Sequence, residues 1–320
     1  MAGLGIGADL GGTNARAAVV DRATGRILAV HRERLGDRSP AAVAEVLGTA
    51  VRAAAAEGGA DLGAIDSVGV GVAGQCLGTT GMVLNAPNLG WRDVSFGDLV
   101  ARAAGVRVRI ANDLSAAAWG EKQFGAARGV SDVVLVFVGS GVGSGLILGG
   151  RLHEGARGIA GELGHVKVRP PRATTARRRC GCGELGCLEA YTGGNNLAAR
   201  VREELAAGAK SQVRELSGGD LSSVNASLVD RAAAGGDEYA NALWAEVSEL
   251  LGTAIANLAT LLNPARVILG GGVILGCPEL ARRVREVTDD RISRSAAVGL
   301  VFEPAALGDD AGVVGAALLD

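Results

Sequence analysis

Three cysteines fall within eight positions of a 320-residue chain: Cys180, Cys182 and Cys187, in the run "RCGCGELGCLEA". Thiolates so closely spaced suit a soft divalent cation, and a closed tetrahedral site asks for one more ligand. His165, in "GIAGELGHVKV", stands 15 residues before Cys180 and is one of only 3 His in the chain, so a Cys3His set is available. Cys180 and Cys182 are separated by a single residue, tighter than finger spacing, and Gly181, Gly183 and Gly186 relieve the backbone around them. The same spacing also fits three unpaired thiols, or one disulfide with a thiol left over. The total of 5 cysteines is odd, and Cys76 and Cys277 stand alone. That count fits a reducing cytoplasm better than secretion.

Two glycine-rich turns suggest a second kind of chemistry. "ADLGGTNAR" carries Asp9, Gly11, Gly12, Thr13, Asn14 and Arg16. At a tight glycine turn the backbone N–H groups come close to an anion. Thr13 adds a hydroxyl, and Asp9 suits Mg²⁺ held through water. "GSGVGSG", residues 139–145, supplies Gly139, Ser140, Gly141 and Gly143. Neither is a P-loop, since no Gly-Lys-Ser/Thr run leads into a helix. Neither is a dinucleotide fingerprint, since a strand follows the glycines. One such turn alone is more often an ordinary hairpin than a phosphate site. Two, each between strands of related halves, favour a clasp on a triphosphate. In "RIANDLSAAAWGE", Asn112 and Asp113 stand where a strand gives way to a helix. One reading makes them a helix cap. The other has Asp113 take the proton of a hydroxyl that attacks phosphorus, with Asn112 holding neighbouring hydroxyls.

These residues need elements to hold them. "LGIGA", "ARAAVVD" and "RILAVHRERL" read as an antiparallel meander joined by tight turns. Ser39-Pro40 opens a helix through residue 59. "IDSVGVGVAG" and "RVRIAND" read as strands, and "LSAAAWGEKQFG" as a helix. Strand, glycine turn and strand then recur over residues 132–150, with "RLHEGA" as a continuation. Helices dominate from about Asn196 to Leu262, and "ARVILGGGVI" is a strand running into a triple-glycine turn. The repeated hairpin implies two halves of related fold, each a mixed sheet with helices packed on it. A length of 320 residues and 48% hydrophobic content agree with two globular domains. The net charge of -2, without a long basic face, argues against nucleic acid as the main partner. No targeting segment is visible, and no uninterrupted apolar run approaches the ~18 residues of a membrane span. Of the 32 basic residues 29 are Arg and 3 Lys, which reads first as genome composition.

With these pieces in place the chain resembles the ROK family of repressors, open reading frames and kinases. The likeness rests on "GADLGGTNAR", "GVAGQ", "APNLGW", "ANDLSAAAWGE", "GSGVGSGLILGGRLHEGARGIAGELGH", "CGCGELGCLE", "ILGGGV" and "GDDAGVVGAA", in that order from residue 7 to 317. The "GELGH" and "CGCGELGCLE" pair is its specific part, because the glycine turns belong to the wider actin-like sugar kinase superfamily. The resemblance implies an actin-like fold of ribonuclease H type. Its small domain is expected at residues 1–117 plus 304–320, and its large domain at 118–303. It implies phosphorylation of a hexose at its 6-hydroxyl with ATP and Mg²⁺, D-glucose being the expected sugar. An N-acylhexosamine such as N-acetylglucosamine or N-acetylmannosamine is the rival substrate.

By the same resemblance Asp113 is the catalytic base, and Asn112, Gly74, Asn88, Glu162, His165 and Glu189 meet the sugar. Gly271 and Gly272 join the two glycine turns in holding the nucleotide. His165, Cys180, Cys182 and Cys187 hold a structural Zn²⁺ that pins the sugar loop. A cytoplasmic homodimer or homotetramer is the expected form, with no nucleic acid or membrane partner. Two features depart from the family pattern. "VKVRPPRATTARRRC" is longer than expected and adds Arg177, Arg178 and Arg179, read as a solvated loop or else as an added anion contact for a polyphosphate donor. Ser140 stands where threonine is commoner. The rival of another class is a sugar-sensing repressor. Its helix-turn-helix module has no room here before the strand at residue 4. A zinc-binding interaction module would leave the glycine turns and Asn112-Asp113 unexplained.

Overall fold

The computed structural model describes residues 3–170 and 177–319. The chain divides into two compact units, the first made of Met1–Val133, Gly145–Gly161 and Ala305–Asp320, the second of Val134–Ser144 and Glu162–Pro304. In the first unit the strands are β1 (Leu4–Leu10), β2 (Asn14–Asp21), β3 (Ile27–Arg34), β4 (Val68–Val72), β5 (Gln75–Leu77), β6 (Met82–Ala86), β7 (Trp91–Val94) and β8 (Val108–Asn112). Its helices are α1 (Pro40–Gly58), α2 (Phe96–Ala104) and α3 (Asp113–Phe124). The main sheet has the order β3-β2-β1-β4-β8, and β5-β6-β7 form a small sheet of their own.

β1 pairs antiparallel with β2, while β1, β4 and β8 run parallel, so their carboxyl ends line up at Leu10, Val72 and Asn112. Parallel neighbours need a crossover, and α1 provides it with a buried face of Val43, Leu47, Val51 and Ala54 at helical spacing. The chain then runs through β9 (Val133–Val138), β10 (Val142–Leu148) and β11 (Arg151–Leu152). The helices that follow are α4 (Glu189–Thr192), α5 (Gly194–Ala206), α6 (Val213–Leu216), α7 (Ala226–Ala234) and α8 (Glu238–Leu262). β12 (Arg266–Gly270), α9 (Gly272–Gly276), α10 (Pro278–Arg291), α11 (Arg294–Ala297), β13 (Val301–Pro304) and α12 (Ala311–Ala316) close it. The second large sheet, β11-β10-β9-β12-β13, repeats the strand order of the first, as the repeated hairpin implies.

α12 belongs to the first unit, although it follows the whole of the second. It lies so close that side chains are excluded: a Cβ on Gly7 would stand 1.9 Å from the Val313 carbonyl oxygen, and one on Gly315 1.7 Å from that of Ala116. α3 lies whole within this compact unit, whose first segment runs to Val133. Glu121 of α3, fully buried, accepts from Leu307 N at 2.8 Å and from Ala126 N at 2.7 Å. Residues on both sides of the second unit are thereby tied together.

In the second unit α8 has the length and apolar composition of a membrane span, the one such helix among the described residues. More than half of it is buried, and its face carries Glu246, 2% exposed, in a bidentate pair with Arg200 at 2.6 and 3.2 Å. A buried pair with its partners in place is the mark of a core helix. Breaking a buried pair outright costs about 3–5 kcal/mol, and Arg200 keeps Glu204 at 2.8 Å when Glu246 is neutralised, so the loss is expected toward the lower end of that range. Glu246→Gln is expected to lower the urea midpoint of the second unit accordingly. A loss below about 1 kcal/mol, the worth of an exposed pair, would show that the pair holds nothing.

Candidate functional site

In the first unit the β1–β2 turn is Gly11-Gly12-Thr13, closed by a hydrogen bond from Gly11 N to the Asn14 carbonyl at 3.1 Å. Thr13 and Asn14 are exposed, and the Asn14 amide donates to Thr13 Oγ1 at 3.1 Å. A Cβ on Gly12 would meet the Asn88 Cβ at 3.3 Å, so "GGTN" and "APNLGW" come together here. Asp9 is the last residue but one of β1. Burial lifts its carboxyl above the ordinary value, and Arg16, 3.5 Å from Oδ2, offsets part of that rise. Arg16 itself is 8% exposed and committed elsewhere. Its guanidinium donates to Asp310 Oδ1 at 2.9 Å and to the Asp309 carbonyl. The arginine expected to meet the nucleotide is a buried strut to the segment before α12.

Asn112 and Asp113 sit one strand further along the same sheet edge from β4. Asn112 is the cap: its Oδ1 accepts from Leu114 N at 2.9 Å and Ser115 N at 3.1 Å. Its Nδ2 donates to the Gly74 carbonyl at 3.0 Å, which draws the β4–β5 loop to the start of α3. Gly74 is held in turn by packing, since a Cβ there would lie 2.5 Å from the Asn85 carbonyl oxygen. Asp113 is the first helical residue and half-buried, with Oδ1 accepting from Leu114 N at 3.0 Å. The capping reading falls to Asn112, and Asp113 follows it as the first residue of the helix.

In the second unit the β9–β10 turn is Gly139-Ser140-Gly141, with Gly143 buried inside β10 and Ser140 exposed. Backbone bonds from Gly194 N to Gly139 O and from Asn195 N to Ser140 O, at 2.9 and 3.0 Å, fix the turn to the start of α5. Gly141 is bare for a reason invisible in the motif. A Cβ there would lie 2.4 Å from Glu189 Oε2, which also accepts from Val142 N at 2.9 Å. Gly271 has φ 92 and would place a Cβ 2.6 Å from the Val138 carbonyl oxygen, while nothing crowds Gly272. Only glycine fits both the angle and the space at Gly271.

The cysteine cluster gathers in this unit. One atom from each of His165, Cys180, Cys182 and Cys187 lies within 4.8 Å of the others. Cys182 and Cys187 Sγ are 3.8 Å apart, and Cys180 Sγ is 3.7 Å from His165 Nδ1. Zinc–sulfur bonds of about 2.3 Å in a tetrahedron put sulfurs roughly 3.8 Å apart, so the four residues fit such an ion. The alternative of a disulfide is not met, since all five cysteines are free thiols. The two nitrogens of His165 divide their work, Nδ1 turning to Cys180 and Nε2 to Glu162 Oε2 at 3.5 Å. Burial pushes the Cys180 and Cys187 thiols up, so metal binding must displace protons.

Lys167, which the sequence reading passed over, donates to Cys187 Sγ at 2.9 Å across an isolated antiparallel bridge between the two residues. Its position two residues after His165 was the available signal. Of the three arginines beyond the loop, Arg178 pairs with Glu203 at 3.0 Å and Arg179 donates to the Gly183 carbonyl at 2.8 Å. Two of the three therefore brace the loop, and residues 171–176 lie outside the described ones.

Residues 5–320 match the model of the ROK family. The chain belongs to the ROK family. It is 34% identical over 274 residues to Glucokinase from Streptomyces coelicolor, across 85% of this chain and 82% of that one. It superposes on the ROK family glucokinase from Streptomyces griseus, solved with glucose and AMPPNP, with TM-score 0.79, 34% identity and 98% coverage of both chains. The Xylose repressor of Caldicellulosiruptor bescii is 32% identical over 248 residues, spanning 78% of this chain and 60% of the repressor. With its twice-repeated strand order, the ROK chain has the actin-like, ribonuclease H-type fold.

Proposed function

We propose that this hexose kinase transfers the γ-phosphoryl group of ATP to the 6-hydroxyl of D-glucose, with Asp113 as general base. The observation that carries this reading is the alignment of β1, β4 and β8. Their carboxyl ends bring the glycine turn, Asp9 and the Asn112-Asp113 pair to one edge of one sheet, the edge where parallel sheets bind ligands. Kinship with glucokinases at 34% identity supports the sugar, and the AMPPNP held by the Streptomyces griseus enzyme supports the donor.

In the reaction the proton of O6 passes to the Asp113 carboxylate as the O6–P bond forms and the bond from phosphorus to the ADP oxygen breaks. Asn112 spends one amide hydrogen on Gly74 and has a second for a sugar hydroxyl. Glu162 and His165 Nε2 offer further polar contacts. Glu189 Oε1 accepts from the Cys180 thiol at 3.5 Å. With Cys180 deprotonated as a zinc ligand, that oxygen loses its donor and is left for the sugar. Half-exposed Asp9, whose Oδ2 alone faces Arg16, would hold Mg²⁺ through water, and the ion neutralises phosphate charge when bound.

The test is a coupled ADP-release assay over glucose, mannose, fructose, N-acetylglucosamine and N-acetylmannosamine. Glucose is expected to give the highest kcat/KM. A higher value for either N-acylhexosamine would overturn the choice of sugar.

A further inference from the structure

The first glycine turn has lost its expected cation. Arg16, the only basic residue in "GADLGGTNAR", is buried and bound to Asp310, Asp309 and Asp9. A turn that cradles phosphates through backbone N–H groups alone gains much from a guanidinium nearby, because its planar fork matches two phosphate oxygens at once.

Arg38 occupies that place. It lies in the loop from β3 to α1, and three contacts set it against the turn. Leu35 N donates to the Thr13 carbonyl at 2.9 Å, which pins the loop to the glycine turn itself. Trp91 Nε1 donates to the Arg38 carbonyl at 2.7 Å, which fixes the arginine's own backbone. Arg38 Nη1 then donates to the Asn88 carbonyl at 3.3 Å, and that same oxygen would lie 3.7 Å from a Cβ on Gly12. The guanidinium is thus bonded to a carbonyl oxygen that lies in van der Waals reach of the turn. The side chain is exposed, and the Asn88 bond is its one hydrogen bond among the described residues. The neighbouring carboxylate makes no ion pair with it among the described residues: Asp37 turns to Ser39, accepting from its N at 2.9 Å and its Oγ at 2.7 Å.

We propose that Arg38 binds the terminal phosphates of the nucleoside triphosphate at the Gly11-Gly12-Thr13 turn, the task for which Arg16 is unavailable. This rests on the reading of that turn as a nucleotide site. Arg38 needs only to swing its guanidinium off a long carbonyl bond, on a backbone that Trp91 holds.

Three proteins test it: Arg38→Met, Arg38→Lys and Gly12→Val, each checked for folding by circular dichroism. Calorimetry measures Kd for ATP, for inorganic tripolyphosphate as a bare-phosphate probe, and for glucose. Charge-assisted hydrogen bonds of this kind are worth about 10- to 100-fold in affinity. Arg38→Met is expected to weaken ATP and tripolyphosphate to that extent with glucose affinity unchanged, and Arg38→Lys to recover part of it. Weaker glucose binding with tripolyphosphate affinity intact would overturn the proposal, because Arg38 would then only brace the Asn88 loop. If Gly12→Val loses ATP affinity while Arg38→Met keeps it, this inference alone falls. If Gly12→Val keeps ATP affinity, the nucleotide reading of the turn falls and takes the inference with it.

Discussion

Asp113→Asn is expected to fold like the parent, bind sugar and nucleotide, and turn over about 10²–10⁴-fold more slowly. The fold should survive because the capping of α3 does not depend on Asp113. Asn112 accepts the Leu114 and Ser115 amides, and an asparagine at 113 keeps an oxygen for the Leu114 N–H now 3.0 Å from Asp113 Oδ1. What the variant lacks, on the proposed mechanism, is a group to take the proton from O6. Steady-state kinetics beside calorimetric sugar affinity will separate the two. Turnover within a few-fold of the parent would remove Asp113 from the chemistry.

Cys187→Ser is expected to abolish stoichiometric zinc and to raise the sugar KM or end activity. The consequence reaches the sugar side because the cluster and the sugar loop share atoms. His165 turns one nitrogen to Cys180 and the other to Glu162, and Glu189 spans Cys180 and Val142 N. Binding free energy of a structural zinc is largely folding free energy of its loop, so residues 162–189 should loosen together. ATP affinity at the first unit's turn should change little. Elemental analysis of purified protein, paired with sugar kinetics, decides the matter. Full activity in protein shown to be metal-free would take zinc out of the account.

Local chemistry was legible in the sequence, and distant neighbours were not. The glycine turns, the strand-to-helix junction at Asn112-Asp113 and the long α8 all follow from short-range signals: turn residues, capping and helical period. The small sheet of β5, β6 and β7 escaped notice because strands of 3–5 residues carry too little alternation to register. Arg16 is expected at the phosphates from its motif, and its bond to Asp310, 294 positions away, is beyond the reach of any local signal. Gly141 looked bare for a phosphate, yet the Glu189 carboxylate fills the space beside it. In each case what the residue faces is settled by packing across the chain.

The side-chain-free seam between α12 and the strands and helix beneath it bears on how the molecule is made. β1, β4 and α3 leave the ribosome early, but the surface formed by Gly7, Gly69 and Gly120 has no cover until residues 311–317 follow. Synthesis proceeds at about 5–20 residues per second, so roughly ten seconds or more separate the two events. During that interval the second unit can finish folding while the first stays open along one face. α12, made after the whole of the second unit, therefore completes a face of the first. Until it has been made, that face is open to chaperones and proteases.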